Sequence, residues 1–436
     1  MDLCTTLLPK TLTFITTYRC TAACTQCCFE SSPKVKGRLG RDEMIRALHD
    51  VKNRFKSLRV VVFTGGEATL LKDDLVAVIA EATSLGLVTR IVSNGSWGKT
   101  KATAKRLADK LAGAGLCELN ISTGKDHQEW VPQESVVNAV EAAFHAGVLT
   151  LVTVEADTAD SAKLAALMKD PTMKSLRSRG VIVQSNSWMS FKDTGEERDH
   201  ALTTGRRATP CEQIHSNIVV TPYGEVSACC GLTLEHIPEM KLGTMDEGVS
   251  DTYLRQRDDF LKYWLRMDGP GEIVRKVMGD ERADELLSDS VHICQDCAVL
   301  HKNPEIRERI SATYEQFVPE VMSRYERSVD GEATEVHSIK SCGRCRCCCA
   351  RGRGSDRRHS TGVWRARKPD RWHGQRNGYQ DAASAVAGRH ARRRMGPLVA
   401  LVRRSGSNVF RPGAARGVQL GSTEISGHGW VRRPSA

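Results

Sequence analysis

Tyr18-Arg19-Cys20-Thr21-Ala22-Ala23-Cys24-Thr25-Gln26-Cys27-Cys28-Phe29 is the stretch on which the reading of this chain turns. Three of its cysteines follow a C-x3-C-x2-C spacing, directly after the β-like run Thr11–Thr17. Three thiolates on one short loop suit three irons of a [4Fe–4S] cube, because such clusters favour soft thiolate ligands. The fourth iron is then open, and an open iron can chelate a small molecule and pass it an electron. Zinc or buried free thiols are the competing readings. Zinc usually takes four ligands in paired spacings, and only three cysteines are regularly spaced here.

Outward from this loop, β-like runs alternate with helical stretches. Strands are predicted at Thr11–Thr17, Leu58–Thr64, Val88–Ser93, Cys117–Thr123, Thr150–Ala156 and Val181–Ser185, and helices at Arg41–Lys52, Lys72–Leu85, Lys99–Ala114, Gln133–Ala146 and Ser161–Lys169. Met44, Ile45, Leu48 and Val51 recur at helical spacing within the first of these helices. Strands alternating with helices predict an α/β fold with a parallel sheet and right-handed crossovers, either doubly wound or a partial barrel. In both, ligands bind at the carboxyl ends of the strands.

Further along, Asn217–Thr221 and Glu225–Ala228 flank Pro222-Tyr223-Gly224 and read as a hairpin, followed by charged helical stretches at Asp251–Arg266, Ile273–Leu287 and Pro304–Tyr325. From Ser341 onward the composition changes, with 21 Lys and Arg against 4 Asp and Glu. The first 340 residues carry 42 against 48, so the net charge of +11 belongs to the tail. That tail, residues 341–436, reads as a disordered basic segment or as an aberrant reading frame of a GC-rich gene. The main body gives no hint of nucleic-acid binding. No run approaches the roughly 20 apolar residues that span a bilayer, and MDLCTTLLPK has no secretory pattern. A cytoplasmic protein without a membrane segment is expected. Its sixteen cysteines then point to metal ligation or redox chemistry rather than to disulfides.

The triplet Cys20, Cys24, Cys27 resembles that of the radical S-adenosylmethionine (radical SAM) enzymes, where it occupies the loop after the first strand of a partial (β/α)6 barrel. The resemblance extends to Phe63-Thr64-Gly65-Gly66-Glu67 at the end of the second strand, 38 residues after Cys27. In the family this segment lies against the methionine amino group. Glycines allow close backbone approach, and carbonyls or a carboxylate can satisfy an ammonium. Two looser matches are Val92-Ser93-Asn94-Gly95 on the third strand and Asn120-Ile121-Ser122 on the fourth. The resemblance implies that Asn94 and Ser122 lie near the cofactor. Asp126 and His127 face either the substrate or, as a surface loop pair, the solvent. The family usually has an aromatic before the third cysteine, near the adenine; Gln26 stands there in this chain. Cys28 is a candidate hydrogen-atom donor or metal ligand, whereas Cys4 and Cys117 read as core thiols.

A second set, Cys211-x12-Gly224-x4-Cys229 with Cys294-x2-Cys297, resembles the C-terminal SPASM/twitch-like extension of these enzymes. Cys211 and Cys229 around a hairpin, with Cys294 and Cys297 from a turn, would close a Cys4 site for one auxiliary cluster or for zinc. Cys230 is the alternative to Cys229. The run Cys342, Cys345, Cys347, Cys348, Cys349 is read as non-ligating. The implied organisation is a barrel over 11–190, a cysteine-rich α+β extension over 205–327, and the tail over 341–436. The implied activity is reductive cleavage of S-adenosylmethionine to a 5′-deoxyadenosyl radical, supplied by a reducing partner such as flavodoxin or ferredoxin. The substrate would be a peptide or protein; alternatives are a small metabolite, or a non-catalytic iron–sulfur or zinc sensor.

Overall fold

Six parallel strands alternate with helices along the first half of the chain, and three more strands extend the same sheet. The computed structural model describes residues 7–156, 158, 160–192 and 202–341, all within one compact unit. The strands are β1 (Thr11–Ile15), β2 (Val60–Thr64), β3 (Val88–Ser93), β4 (Glu118–Gly124), β5 (Leu149–Ala156), β6 (Ile182–Ser187), β7 (Asn217–Val220), β8 (Glu225–Ser227) and β9 (Lys241–Thr244). Their order is β6-β5-β4-β3-β2-β1-β7-β8-β9. Pairing is parallel from β6 through to β7, and antiparallel for β7–β8 and β8–β9. The fold is thus α/β with a mixed sheet.

Alternation along the strands separates two environments. Leu119 and Ile121 on β4, and Val152 and Val154 on β5, join the apolar core. Asn120 and Ser122, and Thr153 and Glu155, point to the opposite face, as the two-residue period of a strand requires. Burial obliges these polar groups to find partners. Thr153 Oγ1 donates to Asn120 Oδ1 (2.9 Å) and accepts from Gln184 Nε2 (3.0 Å), a ladder across β4, β5 and β6.

Most predicted elements appear with shifted ends. β1 stops at Ile15 because Thr16 and Thr17 turn their hydroxyls to the carbonyls of Thr64 (2.9 Å) and Gly37 (2.7 Å). The stretch Asp251–Arg266, expected as one helix, is broken into Val249–Leu254, a 3-10 turn and Phe260–Asp268; Asp259 caps the last by accepting from Leu261 N (3.1 Å). Ile273–Leu287 is divided at Gly279, whose φ of +81° ends Pro270–Met278 before Asp280–Leu286 begins. The stretch Pro304–Tyr325 likewise divides into Pro304–Thr313 and Val318–Ser341 around a 3-10 turn. Elements not foreseen include the helices Lys125–Gln128, Pro171–Ser178, Thr204–Arg207 and Ile293–Lys302, and strand β9. The cysteines from Cys342 onward, Cys4, and the Arg-rich tail beyond Ser341 lie outside the described residues. No helix among the described residues is long and apolar enough to cross a membrane.

Candidate active site

The loop between β1 and the helix Arg41–Arg54 closes on itself at its base, where Cys20 N donates to Ser32 O (3.1 Å). Its tip is a tight turn: Glu30, at φ +50°, donates its N–H to Cys27 O (3.1 Å). Ser31 N donates to Cys27 Sγ (3.4 Å), and Asn94 Nδ2 donates to Cys20 Sγ (3.4 Å) and Thr21 Oγ1 (3.0 Å). Two of the three cysteine sulfurs therefore already accept hydrogen bonds, and Cys20 Sγ also donates to Gly66 O (3.3 Å).

The Gly65-Gly66-Glu67 segment is stitched to this loop. Gly66 N donates to Thr17 O (2.7 Å), and Glu67 N donates to Arg19 O (3.0 Å). A Cβ on Gly65 would lie 2.3 Å from Thr17 O, and one on Gly66 2.3 Å from Arg19 O. In this structure the glycines permit the approach of one loop to another. The Glu67 carboxylate, expected beside an ammonium, is fully buried and turned inward. It accepts from Thr69 N (3.1 Å), Thr69 Oγ1 (2.6 Å), Ser93 Oγ (2.9 Å) and Asn94 N (2.9 Å). Burial raises its pKa, and these donors oppose the rise. Glu67 and Asn94 thus brace the strand ends around Cys20.

Asp126 and His127 are not a surface pair. Asp126 is buried, and His127 Nδ1 forms an ion pair with Glu155 at the end of β5. Burial depresses the His127 pKa, but the Glu155 carboxylate and then Asp126 outweigh it and hold it above the ordinary imidazole value. Burial and then Cys27 raise the Cys24 thiol, with Glu155, Cys20 and Asp126 adding to the rise, so the two carboxylates lie within electrostatic reach of the cysteine loop. Glu155 was missed in the sequence; the signal was a lone carboxylate in the strand Leu-Thr-Leu-Val-Thr-Val-Glu-Ala. Ser122 shares its face of β4 with Asn120. Cys28 is buried, with its thiol pushed up by burial and then by Cys27, Glu155 and, more weakly, Cys294.

Gln26 is 1 % exposed and its amide bonds the segment after β6. Its Oε1 accepts from Phe191 N (2.7 Å) and Lys192 N (2.9 Å), and its Nε2 donates to Lys192 O (3.1 Å). Its backbone O accepts from Trp188 Nε1 (2.9 Å).

The second cysteine set gathers around Gly231. A Cβ at that position would lie 3.0 Å from Cys294 Sγ and 3.7 Å from Cys229 Sγ. Cys297 is raised by burial, then by Cys211, Cys229 and Cys294, so those three thiols lie within electrostatic reach of it. Cys294 and Cys297 lie on the helix Ile293–Lys302 instead of a turn, where a three-residue spacing puts both on one face. Cys230 has partners of its own: its Sγ donates to Gln213 Oε1 (3.0 Å) and accepts from Asn217 Nδ2 (3.1 Å), although burial and then Cys211 raise its thiol, so it too lies near the set.

Among the described residues no group of three His, Cys, Asp or Glu converges to hold a single metal ion. An iron–sulfur cube asks for something different, since each thiolate binds a separate iron. The donor chemistry of both sets fits that demand, being all thiol, with Cys20 and Cys229 buried and the others half-buried. Burial pushes the Cys20 thiol up to about 11, with Glu67 and Cys27 adding to the rise. Cationic irons would relieve that repulsion.

Residues 14–156 match the model described as the Radical SAM superfamily. YydG of Bacillus subtilis (strain 168), a protein provisionally named for peptide biosynthesis, is 30% identical over 132 residues. That match covers 30% of this chain and about two fifths of the relative, 41%. Among solved structures, anSMEcpe with bound AdoMet is similar at a TM-score of 0.45 and 13% identity, covering 72% of this chain and 99% of that one. SuiB of Streptococcus suis, bound to S-adenosylmethionine, gives 0.36 and 14%, covering 63% and 75%.

Proposed function

We propose, on the match of residues 14–156 to the Radical SAM superfamily model, that this chain is an enzyme that reductively cleaves S-adenosylmethionine and abstracts hydrogen from a peptide or protein. The observation that carries the reading is the Cys20–Cys24–Cys27 loop, bound through Gly66, Glu67 and Asn94 to the ends of the next two strands. Cys20, Cys24 and Cys27 would hold the [4Fe–4S] cluster. When bound, the cluster supplies the electron that splits the cofactor into methionine and a 5′-deoxyadenosyl radical.

The protein's own residues orient and shield. Asn94 and Ser31 donate to the sulfurs of Cys20 and Cys27, which orients both sulfurs on the loop. The Glu155–His127 pair keeps a proton on an imidazole nitrogen at the strand ends, where it would anchor a polar group of cofactor or substrate. Ser122 on the same polar face is assigned to the cofactor. The strands β1 to β6 form a partial (β/α)6 barrel, residues 11–190, in this reading. Residues 205–327 form the extension, with an auxiliary cluster on Cys211, Cys229, Cys294 and Cys297. A reduced flavodoxin or ferredoxin would supply electrons. The peptide substrate is favoured by the likeness to a relative named for peptide biosynthesis.

The test is anaerobic reconstitution with iron and sulfide, followed by dithionite and S-adenosylmethionine. Formation of 5′-deoxyadenosine by the wild type, abolished in Cys24→Ala, is the expected result. Zinc uptake without cleavage would sink the reading.

A further inference from the structure

Reductive cleavage consumes one electron per event, and in the reading above that electron comes from a separate protein. The outer side of the cysteine loop carries an unusual charge balance. Between Thr17 and Arg38 stand Arg19, Lys34, Lys36 and Arg38 against Glu30 alone. The segment folds back on itself: Thr17 bridges to Arg38, Arg19 bridges to Ser32, and Val35 N donates to Ser32 O (3.3 Å). All four cationic residues are exposed. Arg38 pairs with Asp74, whereas Arg19, Lys34 and Lys36 make no ion pair among the described residues.

Beside this turn stands Tyr223, between β7 and β8 at the tip of their hairpin. It is 62 % exposed, the most of the described large hydrophobic side chains. Both ends of it are nevertheless held. Tyr223 Oη donates to Lys36 O (3.1 Å), and the ring lies where a Cβ on Gly37 would come within 2.6 Å of Cε1. Gly37, at φ +103°, leaves that space open. The ring also meets Tyr18 (centroids 5.6 Å apart), and Tyr18 meets Phe29 (5.6 Å). Tyr18 stands two residues before Cys20, and Phe29 two after Cys27. Two ring contacts therefore join an uncovered tyrosine to the cysteine loop. Glu225, the hairpin's own carboxylate, is bonded by Lys241 (2.8 Å).

We infer that Tyr223 together with Arg19, Lys34 and Lys36 forms the docking surface for an electron-donating protein with an acidic face. The ring buries apolar area against the partner, and the uncompensated cations steer the encounter. Redox encounters are small in area, which suits a contact of this size. One electron passes from the reduced partner to the cluster on Cys20, Cys24 and Cys27. The partner is oxidised by one electron, and no bond is made or broken in that step. This inference rests on the cofactor reading proposed above and adds where its electrons enter.

The probe is a bacterial flavodoxin, and the protein is the full chain, reconstituted without oxygen. Wild type is compared with Lys34→Glu/Lys36→Glu and with Tyr223→Ser. The Kd for oxidised flavodoxin, read by titration calorimetry, should rise about tenfold in the double variant and about threefold in Tyr223→Ser. The rate at which reduced flavodoxin bleaches the cluster absorbance should fall in step. Added salt should slow the wild type more than the double variant. Cleavage driven by dithionite, which needs no docking, should match the wild type, as should iron content. Binding and electron transfer unchanged in both variants overturn the surface. Association that salt weakens but charge reversal does not is carried by the basic segment after Ser341, and overturns it too. Dithionite-driven cleavage that falls as far as flavodoxin-driven cleavage means that the turn serves the cluster loop instead. A wild type whose cluster flavodoxin reduces but which cleaves no cofactor condemns the functional reading alone.

Discussion

Single side chains set the local demands of this protein, and His215 shows one with a measurable consequence. It lies on the approach to β7 at φ +62°, packed against Tyr263 (4.5 Å) and Tyr325 (5.3 Å). Burial, with Arg266 and Lys262 nearby, presses its pKa down to about 3 from 6.5. The folded state therefore keeps the ring neutral, while the unfolded chain takes up a proton below pH 6.5. Its contribution to stability is complete above 6.5 and is lost as pH falls toward 3, by at most about 1.4 kcal/mol per pH unit. Denaturant melts from pH 7 to 4 should show this slope, and His215→Phe should flatten it. An equal slope in the variant would remove His215 as the cause. Gly66 makes the opposite kind of demand, for the absence of a side chain where the Arg19 carbonyl passes.

Elements decide which of several similar residues do the work. The sequence leaves Cys229 and Cys230 as alternatives. The chain leaving β8 turns Cys229 toward Cys294 and Gly231, and Cys230 toward Gln213 and Asn217. The helix Ile293–Lys302 places Cys297 one turn beyond Cys294. Its first turn is capped by His292 Nδ1, which accepts from Cys294 N (3.1 Å). Iron and sulfide counts on anaerobically reconstituted protein should thus fall by about one cluster in Cys297→Ala and stay at the wild-type level in Cys230→Ala. A cluster lost with Cys230 and retained without Cys297 would reverse the assignment.

At the scale of the whole molecule, β1 sits between two neighbours. It pairs with β2 from Thr11 to Ile15 and with β7 from Thr11 to Phe14. The later cysteine region is thereby hydrogen-bonded into the same sheet as the first six strands, and Thr13 Oγ1 reinforces the seam by donating to Asn217 Oδ1 (2.9 Å). Residues 11–190 and 205–327 should unfold together. Calorimetry of the full chain should show one main transition for them, and a fragment ending near residue 190 should aggregate, since it leaves the edge of β1 unpaired. Two well-separated transitions, with a soluble and folded fragment, would show that the seam contributes little.

Several features of this protein were legible in the sequence because they depend on local chemistry. The C-x3-C-x2-C spacing, the alternation of strands and helices, the glycines at positions 65 and 66, and the 217–228 hairpin all follow from side-chain type and chain period. The breaks in the later helices were harder to see, because Gly279 and the Asp259 cap interrupt patterns that remain apolar on one face. The partners of polar groups could not be read at all. Glu67 facing Ser93 and Asn94, Glu155 facing His127, Gln26 reaching across to Phe191, and Cys230 bonded to Gln213 and Asn217 are pairings that bring separate stretches of chain together. Sequence determined which groups are available. The tertiary structure decided where each is spent, because a buried polar atom must take a partner from whatever strand end the sheet brings beside it.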